Sequence, residues 1–347
     1  MKSKSWNIAV IVSVGVILLL LAGVTIVIDP FLHYHKPLSF LEYPLKDERY
    51  QNDGIARHYE YNAMITGTSM TQNFKTSEFE ALWGVPTIKT SYSGASFHEL
   101  NDNIRRALEY NGELKYVLCS LDSNKLMWPA QEDAYTGYPE YLYDENPWND
   151  VEYVLNKEVV PKTLAVINYT RAGEKTPTMD DYGNWNRYQT FGREAVVNSF
   201  TLLDIAEEEV VMSQADIQML SENIERNFLA TAKKYPDTEF YLFFPPYSIC
   251  YWEALVRSKQ LNIQLQAEEM AVELLLTADN IHVFSYSDRL DIINNLDNYC
   301  DTLHYGEWIN SEILQKISVG EGELTQENYK EYFAKLKELY TNHEYDY

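Results

Sequence analysis

Cysteine is scarce in this chain, whose 347 residues include only Cys119, Cys250 and Cys300. Three cysteines cannot all pair, which excludes a fold built on a framework of disulfides. Cys119 lies in an apolar segment and is expected to be inert core. Cys250 and Cys300 each follow a predicted strand end, so one bridge between them stays open. Without a Cys-x-x-Cys motif or a Cys/His cluster, nothing in the sequence suggests zinc.

Basic side chains are also few, with 28 Lys and Arg against 52 Asp and Glu and a formal net charge of -24. Lys2 and Lys4 precede the first apolar segment, so the remainder has 26 basic and 52 acidic residues, a net charge of -26. Phosphate backbones and anionic lipid head groups would repel such a body. We therefore expect no nucleic-acid partner. A hydrophobic content of 46% excludes a disordered chain.

Charge is absent altogether from residues 5–28. Their length suits one transmembrane helix, which needs about 20 apolar residues, and Lys2 and Lys4 favour a cytoplasmic amino terminus. A cleaved signal peptide is the alternative, but its apolar core spans about 7–15 residues and ends at a small-x-small site, which residues 24–30 do not supply. We predict a single-pass protein of the cell membrane, with 1–28 as cytoplasmic tip and anchor and 29–347 as an extracytoplasmic domain.

Short apolar runs alternate with helical patterns beyond this segment. Five runs are predicted to be strands, at residues 63–66, 87–90, 116–121, 239–244 and 281–286. Such alternation predicts an α/β fold with a five-stranded, mainly parallel sheet. The pattern breaks down over residues 125–212, which are rich in Tyr, Trp, Asp and Asn. We expect an insertion there that covers the carboxyl edge of the sheet.

The helices carry boundary signals of their own. Ser77 and Glu80 have the spacing of a capping box at the start of the helix after the first strand, and Ser213 and Asp216 form a second such pair. Between the fourth and fifth strands, residues 252–277 are predicted to form one long helix.

The first predicted strand ends at Gly67-Thr68-Ser69. A hydroxyl at this turn lies at the carboxyl end of a strand, where open α/β sheets bind their ligands, and near free N–H groups of the turn. Ser69 is therefore a candidate nucleophile, although Gly-Thr-Ser is also ordinary turn chemistry. The same edge gathers Gly94 and the loop 301–304, so a serine, an acid and a histidine follow in chain order at one edge.

Histidine supplies the candidate base. Two of the seven histidines follow an aspartate by three residues, in the pairs Asp279–His282 and Asp301–His304. His282 begins the fifth strand at the amino end of the sheet, whereas His304 follows the carboxyl end of that strand. His98 is the remaining rival, but its place in a helix start suits a capping or surface role. The topology therefore selects His304.

These residue types support nucleophilic catalysis. A serine hydroxyl is a poor nucleophile until a base takes its proton, and neutral His304 can do this near physiological pH. Asp301 can hold the imidazole tautomer and stabilise the imidazolium. Backbone N–H groups at Ser69 and Gly94 can stabilise the oxyanion, an effect of about 2.7–4 kcal/mol per donor.

At these positions the chain resembles the SGNH (GDSL-like) hydrolase superfamily. The resemblance covers most of residues 60–310 in four blocks, which are Gly67-Thr68-Ser69, Gly94, Asp122 and 301–304. The Gly-Thr-Ser-Met form and the amino-terminal anchor are more similar to membrane-anchored members, such as the DltD-like proteins of teichoic-acid D-alanylation and the acetyltransferases of alginate export, than to secreted lipases. The resemblance implies a three-layer α/β/α, flavodoxin-like fold and serine acyl-ester chemistry without a metal or another cofactor.

Two positions depart from that family's pattern. Thr68 stands where the first block has aspartate, and Asp122 stands where the third block supplies an asparagine to the oxyanion hole. An ionised carboxylate would oppose a developing oxyanion. Either Asp122 is protonated or points away, or Asn124 takes its place, or the hole has fewer donors. The α/β-hydrolase alternative needs Gly-x-Ser-x-Gly, and here Thr71 occupies the last glycine position.

The resemblance and the residues together predict an extracytoplasmic serine esterase or O-acyltransferase. Its substrate would be acyl esters of a cell-envelope polysaccharide or teichoic-acid-like polymer, or an acyl carrier. A membrane-bound O-acyltransferase is a further candidate partner, and its presence would favour transfer over hydrolysis. The alternative is a non-catalytic envelope protein that binds glycan on the same scaffold. For either function, we expect an accessible aromatic side chain between Trp128 and Tyr188 within about 12 Å of Ser69, a span suited to ligand pockets.

Overall fold

The chain folds as two units in this computed structural model, which describes residues 2–137, 139–144 and 146–345. The first unit combines Met1–Tyr59 with Gly137–Thr178, and the second combines Glu60–Thr136 with Met179–Tyr347. The span 125–212, predicted as one insertion, is thus shared between the two units. Met1 and residues 346–347, at the ends of the predicted domains, lie outside the described residues.

The described residues contain fourteen α-helices and six strands. The helices are α1 (Lys2–Ile28), α2 (Glu48–His58), α3 (Thr76–Trp83), α4 (Phe97–Tyr110), α5 (Val151–Val154), α6 (Val159–Arg171), α7 (Arg193–Ser199), α8 (Gln214–Ile224), α9 (Ala230–Lys234), α10 (Ile249–Arg257), α11 (Leu261–Leu275), α12 (Leu290–Ile293), α13 (Glu307–Ser318) and α14 (Tyr329–Asn342). The strands are β1 (Ala63–Thr66), β2 (Thr87–Lys89), β3 (Tyr116–Ser120), β4 (Glu239–Phe244), β5 (Ile281–Ser285) and β6 (Glu323–Leu324).

All six strands belong to the second unit and form one sheet in the order β2-β1-β3-β4-β5-β6. Strands β1 to β5 run parallel, with Ile65 opposite Leu118 and Leu118 opposite Tyr241, whereas β6 pairs antiparallel with β5. The mainly parallel α/β sheet is confirmed, but the predicted count of five strands is wrong. The sixth strand has only two residues, too few to leave an alternating pattern in the sequence.

The connections around β1 create a reversal in the sheet. The chain passes from β1 to β2 on one side and then returns past β1 to β3 on the other. Because crossovers between parallel strands are right-handed, opposite directions put α3 and α4 on opposite faces of the sheet. The reversal lies between β1 and β3, and open α/β sheets bind ligands at such points. Ser69 follows β1 there, and Asp122 follows β3.

Of the two predicted capping boxes, the structure contains one. Ser213 and Asp216 bond reciprocally at the start of α8. At α3 the cap residue is Lys75, and the prediction from Ser77 and Glu80 is wrong. The Ser77 N–H instead donates to Asp180 at 2.9 Å, which is about a hundred residues away in sequence. The N–H that the predicted capping box assigned to the Glu80 carboxylate is therefore bonded to the Asp180 carboxylate.

The long helix predicted over 252–277 is also wrong, since the chain forms α10 and α11 with a break between them. Lys259 in that break has a φ of 58°, a left-handed conformation that non-glycine residues rarely adopt. The N–H of the next residue, Gln260, donates to the Leu255 carbonyl at 2.8 Å, and this bond ends α10. No glycine or proline marks the break, so the sequence carries no signal of it.

In the first unit, the predicted apolar segment forms the single helix α1, which is long and apolar enough to cross a membrane. Most of its side chains are exposed. Thr25 and Ile28, in its last turns, are buried, and the hydroxyls of Thr25 and Thr163 of α6 lie 3.5 Å apart. Helices α5 and α6 pack against α1, and the burial of Thr25 and Ile28 places part of this contact in its last turns.

A carboxylate fixes the chain where it leaves α1. Asp29 is fully buried and accepts hydrogen bonds from the N–H groups of His33 and Tyr34 at 2.9 and 2.8 Å. It also accepts the hydroxyl of Tyr153, in α5, at 2.6 Å. These bonds tie the residues after α1 to the small aromatic core that Phe31 and Tyr153 share. The end of α1 is thus held rigidly in the first unit.

All three cysteines are free thiols, so the open alternative of a Cys250–Cys300 bridge is wrong. Cys119 is buried, as expected for an inert core residue, and Cys250 is buried as well. Burial raises the pKa of the Cys300 thiol to about 12, assisted by the neighbouring charge of Asp301. A thiol of that pKa is a poor nucleophile near neutral pH.

Candidate active site

The candidate nucleophile stands on a tight turn that the end of β1 forces on the chain. All four residues of β1 are buried, and Gly67 follows with a φ of 137°. A Cβ at Gly67 would lie 2.7 Å from Ser120 Oγ and 2.8 Å from Thr71 Oγ1, so only glycine fits. The turn closes as the Thr71 N–H donates to the Thr68 carbonyl at 3.1 Å. Ser69 remains partly exposed at its tip.

Ser69, His304 and Asp301 form a continuous hydrogen-bonded chain. Ser69 Oγ lies 2.8 Å from His304 Nε2, and His304 Nδ1 lies 2.8 Å from Asp301 Oδ2. The tautomer with its proton on Nδ1 satisfies both contacts, because Nδ1–H then donates to the carboxylate and Nε2 accepts the serine hydroxyl. The nucleophile and the base, both predicted from the sequence, are thus within hydrogen-bond distance of each other.

The Asp301 carboxylate is fixed by the loop that carries the histidine. Its Oδ1 accepts the backbone N–H groups of His304 and Leu303 at 2.7 and 2.8 Å. Partial burial opposes ionisation, but the bonds from His304 and Leu303 outweigh it, so the pKa of Asp301 lies below its ordinary value. The carboxylate therefore stays charged beside the imidazole, as an acid that stabilises an imidazolium must.

Two backbone donors expected at an oxyanion hole are free. Within the described residues, neither the Ser69 N–H nor the Gly94 N–H donates to a protein acceptor. The loop that carries Gly94 is held beside the nucleophile turn, because the Tyr92 N–H donates to the Gly67 carbonyl at 2.8 Å. Asn124 is exposed in the short turn after β3, and its side chain bonds to no other described residue.

Asp122 has a different position from an oxyanion donor. It is buried, and its two oxygens accept the hydroxyls of Thr68, Ser120 and Tyr247 at 2.7–3.2 Å. Burial raises the pKa of Asp122, although these three hydroxyls work in the opposite direction. Since the Thr68 hydroxyl in turn accepts the Met70 N–H at 3.3 Å, the carboxyl braces the turn on both sides of Ser69. Of the alternatives left open by the sequence, this bonding fits the one in which Asp122 points away from the oxyanion.

Trp185 is a site residue that the sequence did not single out. Its indole N–H donates to the carbonyl oxygen of Ser69 at 3.0 Å, and its ring stands edge-on to His304 with centroids 5.4 Å apart. Trp185 is partly exposed and lies between Trp128 and Tyr188, so the expected accessible aromatic near Ser69 is present. The signal was the Tyr- and Trp-rich composition of 125–212, which named no single residue.

The sequence also missed a buried lysine under the turn. Lys89, in β2, is 1% exposed, and its ammonium donates to the carbonyls of Gln72 and Phe74 at 2.7 and 2.8 Å and of Asp180 at 3.0 Å. These contacts hold the segment between Ser69 and α3. A lysine in an apolar strand run gives no sign that its charge is buried among carbonyls.

The two rival histidines are bound elsewhere. His282 lies between the carboxylates of Glu239 and Glu323 at 3.1 and 2.8 Å and stacks on Tyr241. Its partner is not Asp279, so the three-residue spacing carried no meaning there. His98 lies 3.8 Å from the carboxylate of Asp133 on the surface of α4. Neither ring contacts Ser69.

Metal binding has no obvious location. In the part of the chain that the structure describes, no group of three or more His, Cys, Asp or Glu side chains is arranged to hold an ion. The polar side chains that meet at the carboxyl edge of the sheet are linked by hydrogen bonds, in the chain from Ser69 through His304 to Asp301 and around Asp122. The chemistry this arrangement supports is proton transfer between a hydroxyl and an imidazole.

Comparison with known proteins adds little. No family model matches the sequence, and no curated protein matches it. Among solved structures, one from Streptococcus pneumonia, provisionally named a platelet activating factor, aligns with 82% of this chain and 91% of its own, at 12% identity and a TM-score of 0.41. A likeness at this level carries no argument about function.

Proposed function

We propose that this chain is a membrane-anchored serine esterase or O-acyltransferase that acts, outside the cytoplasm, on acyl esters of a cell-envelope polysaccharide or teichoic-acid-like polymer. The observation that carries the proposal is the hydrogen-bonded chain from Ser69 through His304 to Asp301, at 2.8 Å for each link. A serine, a base and an orienting acid at these distances are the components of acyl transfer.

In the first half of the reaction, Ser69 Oγ attacks the ester carbonyl carbon and gives its proton to His304 Nε2. The carbonyl oxygen becomes an oxyanion, for which the free N–H groups of Ser69 and Gly94 are the available backbone donors. Asp301 stabilises the imidazolium. His304 then returns the proton to the alcohol oxygen as the carbon–oxygen bond breaks, which leaves the acyl group on Ser69.

In the second half, an incoming hydroxyl attacks the acyl-serine carbonyl and gives its proton to His304. Collapse of the second tetrahedral intermediate returns that proton to Ser69 Oγ. Water as the nucleophile gives hydrolysis, and a sugar hydroxyl gives a new ester. Both outcomes use the same residues, so the acceptor that reaches the site decides between esterase and transferase.

The fold at the site supports the SGNH-type assignment as part of this proposal. Helices α3 and α4 on opposite faces of a mainly parallel sheet fit a three-layer α/β/α, flavodoxin-like arrangement. The apolar helix α1 fits a membrane anchor. On this proposal the partners are an acylated glycan or acyl carrier and, if the reaction is transfer, a membrane-bound O-acyltransferase that supplies the acyl group.

One cluster favours glycan as the ligand, and it is also the basis for the non-catalytic alternative. Trp185 stacks on Phe191 with centroids 6.4 Å apart, and Phe191 meets Trp308 at 5.0 Å. Trp308 is 44% exposed. Aromatic faces of this kind beside Ser69 can stack on sugar rings whether or not the serine reacts.

Reaction with a fluorophosphonate separates the two functions. The probe phosphonylates an activated serine and releases fluoride, so the full chain in detergent should be labelled and Ser69→Ala should not. Ser199→Ala is the matched control, because Ser199 is an exposed serine at the end of α7. Equal labelling of Ser69→Ala and the native chain, or no labelling of either, would rule out the catalytic proposal and leave glycan binding.

A further inference from the structure

The first unit exposes apolar side chains next to the helix that can cross the membrane. Trp148 is 88% exposed, and Val151 and Leu155, at helical spacing after it, are 54% and 38% exposed. In α6, Leu164 is 53% exposed. The opposite side of the same turns faces the core, where Tyr153 and Val159 are buried. Large apolar groups exposed together in this way usually mark an interaction surface.

The exposed side chains follow one side of the chain rather than a random scatter. Trp148, Val151 and Leu155 are spaced i, i+3 and i+7. Trp148 lies in the turn before α5, where the Glu152 N–H donates to the Asn149 carbonyl, and Leu155 ends α5, with its N–H donating to the Val151 carbonyl. Residues at this spacing share one helix face. These exposed side chains form an apolar strip, whereas Tyr153, in the same stretch, is buried.

The level of this strip relative to a bilayer follows from the length of α1. The span Lys4–Ile28 has 25 residues, which is about 38 Å of helix at 1.5 Å per residue. The hydrocarbon core is about 30 Å thick, so the last turns of α1 extend to the membrane–water interface. Helices α5 and α6 pack against those last turns, through contacts such as Thr163 with Thr25. They must therefore lie at interfacial depth.

We propose that the strip formed by Trp148, Val151, Leu155 and Leu164 is a second membrane contact, which inserts its apolar side chains into the interface between head groups and acyl chains. The proposal rests on α1 crossing the membrane, as in the proposed function. Tryptophan is the residue enriched at this depth, because its ring is apolar and its N–H can reach water or head groups. The hydrogen bonds that Asp29 accepts from His33 and Tyr153 hold the strip in a fixed position relative to the end of α1.

The contact is apolar rather than electrostatic. The chain carries a net charge of -24, and acidic residues such as Glu152 and Glu158 are exposed beside the strip. Anionic lipid would be repelled, so binding to zwitterionic lipid should be insensitive to salt. A protein surface over the same strip is the competing occupant, and the experiment below distinguishes it.

Depth-dependent quenching tests the proposal on the full chain in phosphatidylcholine nanodiscs. Cysteines introduced as Val151→Cys or Leu164→Cys carry an environment-sensitive NBD label, and lipids with a shallow doxyl group act as quenchers. Val319→Cys is the control, because Val319 is an apolar residue of the second unit that is 74% exposed. The native chain, labelled in parallel, measures the background from partly exposed Cys300.

The labels at 151 and 164 should emit at shorter wavelength than the label at 319 and be quenched about twofold or more strongly, since an interfacial face sinks about 5–10 Å into the head-group region. Adding Trp148→Gln to the Val151→Cys chain should reduce that quenching. Equal quenching at all three positions overturns the proposal. A blue shift without quenching also overturns it, because a protein surface then covers the strip. Fluorophosphonate labelling of Ser69 in the same nanodiscs reports separately on the proposed function.

Discussion

The indole N–H of Trp185 donates a hydrogen bond to the carbonyl oxygen of Ser69 at 3.0 Å. The backbone of Trp185 is fixed as well, because its N–H donates to Asn73 Oδ1 at 3.1 Å. Its ring also stands edge-on to His304. One side chain thus limits the movement of both the nucleophile turn and the base.

Replacing this donor tests whether it positions the nucleophile. In Trp185→Phe a phenyl ring replaces the indole, so an aromatic ring remains and the hydrogen bond is lost. The net free energy of such a bond is about 1 kcal/mol. We expect fluorophosphonate labelling of Ser69 to slow by about fivefold, since each 1.4 kcal/mol is a factor of ten in rate. Trp308→Phe is the control, because that indole N–H donates to Asn298 at 3.0 Å and not to the turn. Equal labelling rates in the two variants would show that Trp185 only packs.

The acid of the chain gives a prediction for turnover. Asp301→Asn keeps the shape but presents an amide to His304 Nδ1, which favours the wrong tautomer. We expect ester turnover to fall by about 10³–10⁴-fold, the size of the loss in other serine triads. Asp297→Asn, in the same loop, should retain native turnover. Within the described residues, the Asp297 carboxylate accepts only the exposed backbone N–H of Arg193, at 3.4 Å. Native turnover in Asp301→Asn would contradict the triad.

The same substitution gives a prediction for stability against pH. The pKa of Asp301 is lower in the folded chain than its ordinary value of about 3.9. Its charge therefore stabilises the fold above about pH 3.9, and this contribution is lost as the pH falls through the lower folded pKa. The melting temperature of the native chain should exceed that of Asp301→Asn at neutral pH, and the two should converge in acid. A constant difference would mean that Asp301 titrates normally.

Asp122 should matter for the turn rather than for the oxyanion. Asp122→Ala leaves the hydroxyls of Thr68, Ser120 and Tyr247 without their acceptor, and each unsatisfied buried group costs about 1–3 kcal/mol. We expect the free energy of unfolding to fall by about 3 kcal/mol or more, and labelling of Ser69 to slow. Asp122→Asn should lose less, because hydroxyls can rotate to accept from an amide as well as donate to it. Equal effects of the two variants would contradict this bonding.

The sequence predicted the site through topology. Strand exits on a parallel sheet meet at one edge, and that rule alone brought Ser69 and His304 together from 235 residues apart. It also separated His304 from His282, which share the same spacing from an aspartate. The prediction succeeded because it depends on where each strand ends, which hydrophobic periodicity indicates.

Features that depend on a distant partner could not be predicted. The capping box at Ser77 fails because Asp180 reaches the same N–H from another part of the chain. The role of Asp122 depends on Tyr247, and that of Lys89 depends on three carbonyls that only the folded chain brings together. The break at Lys259 depends on a left-handed backbone conformation, which the sequence does not indicate because the residue is not glycine. For Ser77, Asp122 and Lys89, tertiary contacts override the local preference.

A buried glutamate gives the last prediction. Glu268, in α11, is 1% exposed, and Gln264 donates to one of its oxygens at 2.7 Å. Burial raises the pKa of Glu268 from 4.5 to about 7, so the folded chain holds this proton more tightly than the unfolded chain does. The resulting stabilisation is full below the unfolded pKa and is lost as the pH rises through about 7. Over the whole interval it amounts to about 3 kcal/mol, at 1.36 kcal/mol per pKa unit.

Thermal unfolding of the detergent-solubilised chain between pH 5 and 8.5 or so measures this loss. Relative to Glu268→Gln, which cannot ionise, the native chain should lose stability as the pH rises toward about 7, and the difference should level off above that pH. Glu273→Gln is the matched control, because Glu273 lies on the same helix and is exposed, so its removal should leave the native pH dependence in place. If the native chain and Glu268→Gln keep a constant difference across this range, the carboxyl of Glu268 is not held protonated by burial.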